Sequence, residues 1–144
     1  MRNRPLLVAA GIICRDRHVL VAQRREIDRH PLKWEFPGGK VELGESPQQA
    51  LIRELREELQ IDALIDGELA RYEHEYPSGG CVHLLFFAVT QFAGEPEARV
   101  FKQICWTSIH DLPTLDFLEG DLNFVRRLAR GDFEQQLEVQ RRSI

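Results

Sequence analysis

Cysteine is scarce in this chain of 144 residues, which has only Cys14, Cys81 and Cys105. Their number is odd and none lie in a C-x-x-C arrangement, so they suggest neither a disulfide framework nor a zinc site. The five histidines also lack the spacing of metal ligands, and none has a nearby Ser or Cys that would indicate a catalytic triad. We therefore expect buried thiols and a reducing, cytoplasmic environment.

Long apolar runs and an excess of basic charge are missing as well. The apolar run at residues 6–13 is broken by Gly11, is too short to span a membrane and is followed by no small-residue cleavage site. The net charge is −4, which argues against a general nucleic-acid binder because such proteins normally carry a basic surface. We expect a small-molecule substrate and no nucleic-acid or membrane partner.

The length suits one domain, and we find no repeat, linker or low-complexity segment. We predict a single domain over residues 1–130 and a polar C-terminal tail over residues 131–144. Apolar and alternating patterns predict strands at 6–13, 18–23, 34–37, 64–76, 81–90 and 104–107. With one helix in the middle and an amphipathic helix near the end, the predicted fold class is α+β or mixed α/β.

The most informative stretch is residues 38–61, where a glycine-rich loop precedes a predicted helix. Ser46 suits the N-cap, Pro47 suits the first helical position, and Gln49 completes a capping box. The helix should therefore begin at Pro47. One stripe of this helix is apolar and predicts packing on a core: Leu51, Ile52, Leu55 and Leu59.

An acidic face adjoins that apolar stripe and consists of Glu54, Glu57 and Glu58. At spacings of three and four residues these carboxylates repel each other unless a cation lies between them. A solvated helix with Arg53 and Arg56 as pairing partners is the simpler interpretation, but the glycine loop directly upstream favours a cation site. Carboxylates without Cys or His favour Mg²⁺ or Mn²⁺ over zinc. Such a metal indicates hydrolysis of a phosphoanhydride, since it neutralises a diphosphate and orients water.

The spacing of these residues resembles the signature of the Nudix hydrolase family, G-x5-E-x7-R-E-U-x-E-E-x-G-U with U aliphatic. The match starts at Gly39, passes through Glu45 and ends with residues 53–61. Only Gln60 departs from it, at a glycine that we expect to be a C-terminal helix cap. The resemblance implies the Nudix fold, an α/β/α sandwich with a mixed central sheet.

The resemblance also implies roles for individual residues. The implied metal ligands are Glu54, Glu57, Glu58 and the carbonyl of Gly38. Arg53 would orient a signature glutamate through a charge-assisted hydrogen bond, which gives the implied catalytic set Arg53, Glu54 and Glu57. Gly39 would support the loop, and Glu45 would support either the loop or an outer metal.

The similarity to the MutT-type subgroup, which converts nucleoside triphosphates to monophosphate and pyrophosphate, extends over nearly all of residues 6–130. Within it Arg24 and Lys40 are candidates for phosphate contact, with ordinary surface cations as the alternative. Phe36 is a candidate for the nucleoside pocket, with a core position as the alternative. MutT-type enzymes carry a loop glutamate where this chain has Val100. The general base therefore stays open among Glu54, Glu57 and two loop residues, Glu95 and Glu97.

Asp121 stands where 8-oxo-dGTP enzymes carry an Asn that contacts the base. An ionised Asp only accepts hydrogen bonds, which suits cytosine N4 or the N1 and N2 edge of guanine; the alternative is a helix N-cap. The resemblance implies first a Mg²⁺-dependent pyrophosphohydrolase that removes nucleotides such as 8-oxo-dGTP and so protects DNA. Alternatives are a CTP or 5-methyl-dCTP pyrophosphohydrolase, an ADP-ribose or nucleotide-sugar hydrolase, and a non-hydrolysing nucleotide sensor. Monomer and homodimer are both compatible with the sequence.

Overall fold

The computed structural model describes residues 5–138, which form a mixed β-sheet with helices on both faces. The strands are β1 Leu6–Arg15, β2 His18–Gln23, β3 Trp34–Glu35, β4 Gly38–Lys40, β5 Asp62–Leu64, β6 Glu68–Glu75, β7 Cys81–Val89, β8 Gln91–Ala93 and β9 Gln103–Ser108. The helices are α1 Pro47–Leu59, α2 Leu122–Ala129 and α3 Glu134–Glu138, with 3₁₀ turns at Ile109–Thr114 and Glu119–Asp121. Among the described helices, none is long and apolar enough to cross a membrane.

The sheet is mixed because β1 pairs in parallel with β7 and antiparallel with β2 and β4. Its strand order is β3-β2-β1-β7-β6, and β9 pairs with β2. The turn between β1 and β2 is made by Asp16 and Arg17, both at positive φ, as two-residue hairpin turns often require. The strand predicted over residues 64–76 is in fact two elements, since β5 leaves the main sheet to pair with β8.

Strand β1 lies in the middle of the sheet and is covered on both faces, as predicted. Ala9 and Ile13 pack in the core formed with α1, whereas Ala10 and Ile12 pack in the core formed with α2. The alternation follows from the two-residue period of a strand. The predicted α/β/α sandwich is confirmed. Its central layer, the sheet, lies between these two cores.

Helix α1 begins at Pro47, as predicted. The Ser46 hydroxyl accepts a hydrogen bond from the Gln49 N–H at 3.1 Å, and the Gln49 side chain accepts one from the Ser46 N–H at 2.9 Å. This reciprocal pair satisfies two of the otherwise unpaired donors at the helix start. The apolar stripe is anchored by Leu51, Leu55 and Leu59, which are fully buried.

Helix α1 ends at Leu59 and is capped by Gln60, which adopts the left-handed conformation at φ 60° and donates its N–H to the Arg56 carbonyl at 3.0 Å. The signature glycine position is therefore a C-terminal cap, as expected. A side chain in this conformation costs about 1–2 kcal/mol because Cβ crowds the following carbonyl.

Replacing Gln60 with Gly should raise the free energy of unfolding by roughly 0.5–1 kcal/mol, since relief of this crowding is partly offset by the greater freedom of Gly in the unfolded chain. Urea unfolding of the variant and wild type measures the change. The matched control is Gln48→Gly, which places Gly inside the same helix and should lower stability. A loss of stability in Gln60→Gly would contradict the strained cap.

The C-terminal segment has a mostly polar composition, but two of its apolar side chains are buried in the core. Phe133 and Leu137 are 4% and 3% exposed and join the core that contains α2. Phe133 directly precedes α3 and Leu137 lies within it, four residues later, so the core extends beyond residue 130. The burial of Phe133 and Leu137 does not fit a tail that is polar throughout, and residues 139–144 lie outside the described part. The single domain over residues 1–130 and the C-terminal tail stay predictions.

The prediction of buried thiols holds for one cysteine in three. Cys14 is buried in β1, but Cys81 is half-buried and Cys105 is exposed. Cys81 is the first residue of β7, beside the turn that joins it to β6, and Cys105 lies on β9.

Candidate active site

The glycine loop runs in close contact with both the central strand and helix α1. A Cβ atom at Gly38 would lie 2.0 Å from the carbonyl oxygen of Ala9, and one at Gly39 would lie 2.5 Å from the Glu54 carboxyl carbon. Only glycine allows this approach of the backbone. The Gly38 N–H donates a hydrogen bond to Glu58 Oε1 at 3.1 Å. The fold thus brings the loop and two of the predicted glutamates together.

Arg53 links the loop to the acidic face of α1. Its Nε and Nη2 donate to the two oxygens of Glu45 at 2.8 and 2.9 Å, and its Nη1 donates to Glu54 Oε1 at 2.8 Å. Nη2 also donates to the Lys40 carbonyl at 3.2 Å, and Glu57 lies 3.5 Å from Nη1. The hydrogen bond from Arg53 holds the pKa of Glu45 down at about 2. Arg53 therefore orients two carboxylates at once and fixes the loop against the helix.

Glu58 is the member of the acidic cluster that contacts the Gly38 backbone. Burial, with added repulsion from Glu54 and Glu35, raises the pKa of Glu58 to about 9. Glu57 has a side chain that is 61% exposed and lies on the outer side of the cluster. In the described part of the chain the oxygens of Glu54, Glu57 and Glu58 do not all approach within 4.8 Å of one another. An all-oxygen donor set with mutual repulsion fits a hard divalent cation, which would draw these carboxylates together.

Glu35 is a functional candidate that the sequence analysis missed. Its carboxylate accepts a hydrogen bond from Arg24 Nη1 at 2.7 Å, and burial raises its pKa. The negative charge of Glu35 contributes to the raised pKa values of both Glu58 and Asp121, so Glu35 couples electrostatically to the metal-ligand candidates and to Asp121. A carboxylate within the short strand before the glycine loop was the available signal. Arg24 is thereby brought to the edge of the acidic cluster.

Asp121 is buried at 7% exposure at the start of α2, but its side chain makes no capping hydrogen bond. The N-cap alternative is therefore wrong for its side chain. Burial, with added repulsion from Glu35, raises the pKa of Asp121 to about 8, which favours the protonated carboxyl at neutral pH over the ionised form expected from the sequence. Nearby, Gly120 lies against His74, whose buried Nε2 has no hydrogen-bond partner among the described residues.

The other two substrate candidates differ in their surroundings. Phe36 is 3% exposed and packs on three rings, those of Phe86, Phe117 and Phe124, which places it in the core. Lys40 is exposed at the end of β4, beside the Arg53 contact. The fold therefore supports the core interpretation for Phe36 and leaves Lys40 accessible to an anionic ligand.

The loop between β8 and β9 passes the C-terminal end of α1. The Glu97 N–H donates to the Leu59 carbonyl at 3.0 Å, and the Arg99 N–H donates to the Glu58 carbonyl at 3.3 Å. Glu95 instead pairs with Arg15 at 3.4 Å, and Val100 is 41% exposed. Of the two loop carboxylates considered as a base, Glu97 is the one whose backbone is bound to the acidic helix.

Comparisons with known proteins agree with this geometry. The NUDIX domain family profile matches residues 5–128. An 8-oxo-dGTP diphosphatase from Haemophilus influenzae is 36% identical over 89% of this chain and 94% of its own length. A CTP pyrophosphohydrolase from Escherichia coli K12 is 44% identical over 70% of this chain and 74% of its own length.

Solved structures give the same result. The solution structure of the E. coli ORF135 protein has a TM-score of 0.81 at 35% identity and covers 91% of each chain. MutT from methicillin-resistant Staphylococcus aureus 252, described as a Nudix hydrolase, has a TM-score of 0.72 at 37% identity, covering 90% of this chain and 98% of that one. With its signature residues assembled around one glycine loop, the chain belongs to the NUDIX family and is a MutT-like Nudix hydrolase.

Proposed function

We propose that this protein is a Mg²⁺-dependent nucleoside triphosphate pyrophosphohydrolase with 8-oxo-dGTP as its preferred substrate. The observation that carries the proposal is the acidic face of α1, tied by Arg53 to a glycine loop that only glycine can form. The two relatives named above act, by their names, on 8-oxo-dGTP and on CTP. The cysteine pattern and the small anionic substrate favour a cytoplasmic location.

The side chains have three kinds of role in the reaction: they hold the metal ion, orient other groups of the site and accept a proton. Glu54, Glu57, Glu58 and the Gly38 carbonyl would hold the metal ion, which supplies charge neutralisation and an activated water when bound. Arg53 fixes the direction of the Glu54 carboxylate, while Glu45 and Gly39 keep the loop in place. Arg24 and Lys40 supply positive charge for the phosphates. Glu54 or Glu57 would accept the proton of the attacking water, since both lie on the metal-holding face.

A protonated Asp121 has the hydrogen-bonding capacity of the Asn that it replaces in 8-oxo-dGTP enzymes. It offers one donor and one acceptor, which complement the O6 and N1–H groups of guanine. The same pair complements N3 and N4 of cytosine, so a CTP pyrophosphohydrolase is the second candidate, and the E. coli relative favours it. Ionisation of Asp121 would remove the donor and leave only acceptors.

Replacing Asp121 with Asn should therefore change the pH dependence of base recognition. Wild-type kcat/KM for 8-oxo-dGTP should fall as pH rises through about 8, whereas Asn keeps its donor at every pH. The ratio of variant to wild-type kcat/KM should rise about tenfold between pH 7 and 9, because protonation falls tenfold per pH unit above the pKa. Other titrating groups affect the chemistry equally in both proteins, so their effects cancel in the ratio of the two kcat/KM values. A ratio that stays constant would remove Asp121 from base recognition.

The pH dependence of the protein's stability provides a second test of the Asp121 carboxyl. The pKa of Asp121 is raised above its unfolded value, so its contribution to stability is fully present below pH 4 and is lost as pH rises towards 8. Asp121→Asn should therefore melt at a higher temperature than wild type at pH 8, with a smaller difference at pH 5.

The function itself is tested by measuring pyrophosphate release with Mg²⁺ from 8-oxo-dGTP, dGTP, CTP, 5-methyl-dCTP and ADP-ribose. Preference for 8-oxo-dGTP supports the proposal, and preference for CTP or 5-methyl-dCTP moves the protein to the second candidate. Cleavage of ADP-ribose alone overturns both. Binding without cleavage of any substrate would make the protein a nucleotide sensor.

A further inference from the structure

The hairpin of β6 and β7 carries a second group of metal-ligating side chains. In the register of this antiparallel pair, Glu73 lies opposite His83 and Glu75 lies opposite Cys81. Opposite residues project from the same face, and Cys81 and His83 are two positions apart on one strand. All four side chains therefore share one face of the hairpin, on strands that contribute none of the signature glutamates.

Three of these side chains already converge. Cys81 Sγ lies 3.2 Å from Glu73 Oε1, and His83 Nε2 lies 3.8 Å from the same oxygen. The three ligand atoms lie within 4.8 Å of one another, and no other group of three is so placed in residues 5–138. Tetrahedral zinc with bonds of about 2.0–2.3 Å separates its ligand atoms by about 3.3–3.7 Å. Small side-chain rotations would therefore bring these atoms to tetrahedral zinc spacing.

The metal-ligand atoms of this group differ chemically from the carboxylate oxygens on α1. One thiol, one imidazole and one carboxylate form a mixed sulfur, nitrogen and oxygen set, which suits zinc and not magnesium. The Glu73 side chain is 63% exposed and that of His83 is 30% exposed, so a metal ion can enter directly from solvent. Three protein ligands leave the fourth position open to water or to Glu75.

We propose that Glu73, Cys81 and His83 form a zinc site on the β6–β7 hairpin, separate from the divalent-metal site of the hydrolase. On binding, the Cys81 thiol gives its proton to water and the sulfur forms a bond to Zn²⁺. The metal joins the outermost strand β6 to β7 close to the turn that follows Glu75. Occupancy should therefore stabilise the hairpin, because the ion binds the folded strands better than the unfolded chain.

Ligand spacing along the chain does not indicate this zinc site, because its ligands come from two strands. Cys81 and His83 form only a two-ligand C-x-H pair, which carries little information by itself. The third ligand, Glu73, comes from the neighbouring strand and is identified only by the strand register.

The test is a Co²⁺ titration of the reduced protein in a large excess of Mg²⁺, followed by the thiolate-to-cobalt charge-transfer absorption. Only a sulfur ligand gives this band, so Co²⁺ bound by the carboxylates of α1 is silent. Wild type should show a saturable band with one equivalent, and Zn²⁺ should displace it. Cys81→Ser should lose the band, and His83→Gln should weaken binding at least about tenfold.

Cys105→Ser is the matched control, because it removes an exposed thiol on β9 and leaves the hairpin intact. It should keep the band and the Zn²⁺-induced rise in melting temperature, whereas Cys81→Ser should lose both. Circular dichroism at the start of the titration confirms that each variant is folded. An equal band in Cys81→Ser, or no band in wild type, overturns the zinc site. These readouts do not use turnover, so they are independent of the proposed hydrolase activity.

Discussion

Glu57→Gln is expected to lower kcat/KM for the nucleoside triphosphate at least about 100-fold while the protein stays folded. The amide keeps the shape of the side chain but removes the charge that would bind the metal, and even outer-shell partners of a metal are worth 10–100-fold. The Glu57 side chain is 61% exposed and its contact with Arg53 is 3.5 Å long. Its removal should therefore affect stability little, since exposed ion pairs contribute about 0–1 kcal/mol.

The measurement is steady-state pyrophosphate release over a range of Mg²⁺ concentrations. The control Glu68→Gln removes an exposed carboxylate that pairs with Arg71 on β6 and should leave turnover unchanged. Partial recovery of Glu57→Gln at high Mg²⁺ would indicate weakened metal binding, and no recovery would indicate lost proton transfer. Wild-type turnover in Glu57→Gln would refute the metal assignment on α1.

Gly38→Ala is expected to cost roughly 3 kcal/mol of stability, from backbone strain and steric overlap together. The added Cβ would lie 2.0 Å from the Ala9 carbonyl oxygen and 2.8 Å from the Ala10 Cα, both on the backbone of the central strand. Gly38 also has a φ of 153°, which L side chains rarely adopt. Neither partner can rotate away, so β4 must shift from β1. The melting temperature should fall by roughly 10 °C.

The comparison variant is Gly67→Ala, since a Cβ at Gly67 meets nothing within 4 Å. It should melt within about 2 °C of wild type. Thermal unfolding followed by circular dichroism measures both. The surviving folded fraction of Gly38→Ala should also lose activity, because the shift moves the Gly38 N–H away from Glu58. Equal melting temperatures for the two variants would show that the loop does not pack against β1 as described.

Local signals in the sequence predicted the elements that depend on neighbouring residues. The start of α1 follows from Ser46, Pro47 and Gln49, which cap a helix in any fold. The central position of β1 follows from an apolar run that only Gly11 interrupts, because a strand covered on both faces is apolar along most of its length. The acidic face and the glycine loop were likewise predicted, since both lie within one continuous stretch.

Properties that depend on distant residues were not predictable. Asp121 is buried, and its raised pKa depends partly on Glu35, which is far away in sequence. Phe133 is buried because it packs on the ring of Phe124 in α2. The polar composition of the C-terminal segment does not predict this contact. The contact between Glu73 and Cys81 follows from the register of β6 and β7, which the sequence alone does not give. In each case the decisive contact crosses between elements, and spacing along the chain carries no record of it.

The parallel pairing of β1 with β7 has a consequence for how the protein is made. Leu6 pairs with Val82, so the central strand leaves the ribosome about 75 residues before its main partner. The loop and helix that carry the signature glutamates are complete before β7 exists. Because such distant pairings close late and slowly, the nascent chain must hold an incomplete sheet edge until β7 emerges. The hydrolase should therefore be most vulnerable to aggregation during synthesis, before β7 closes the sheet.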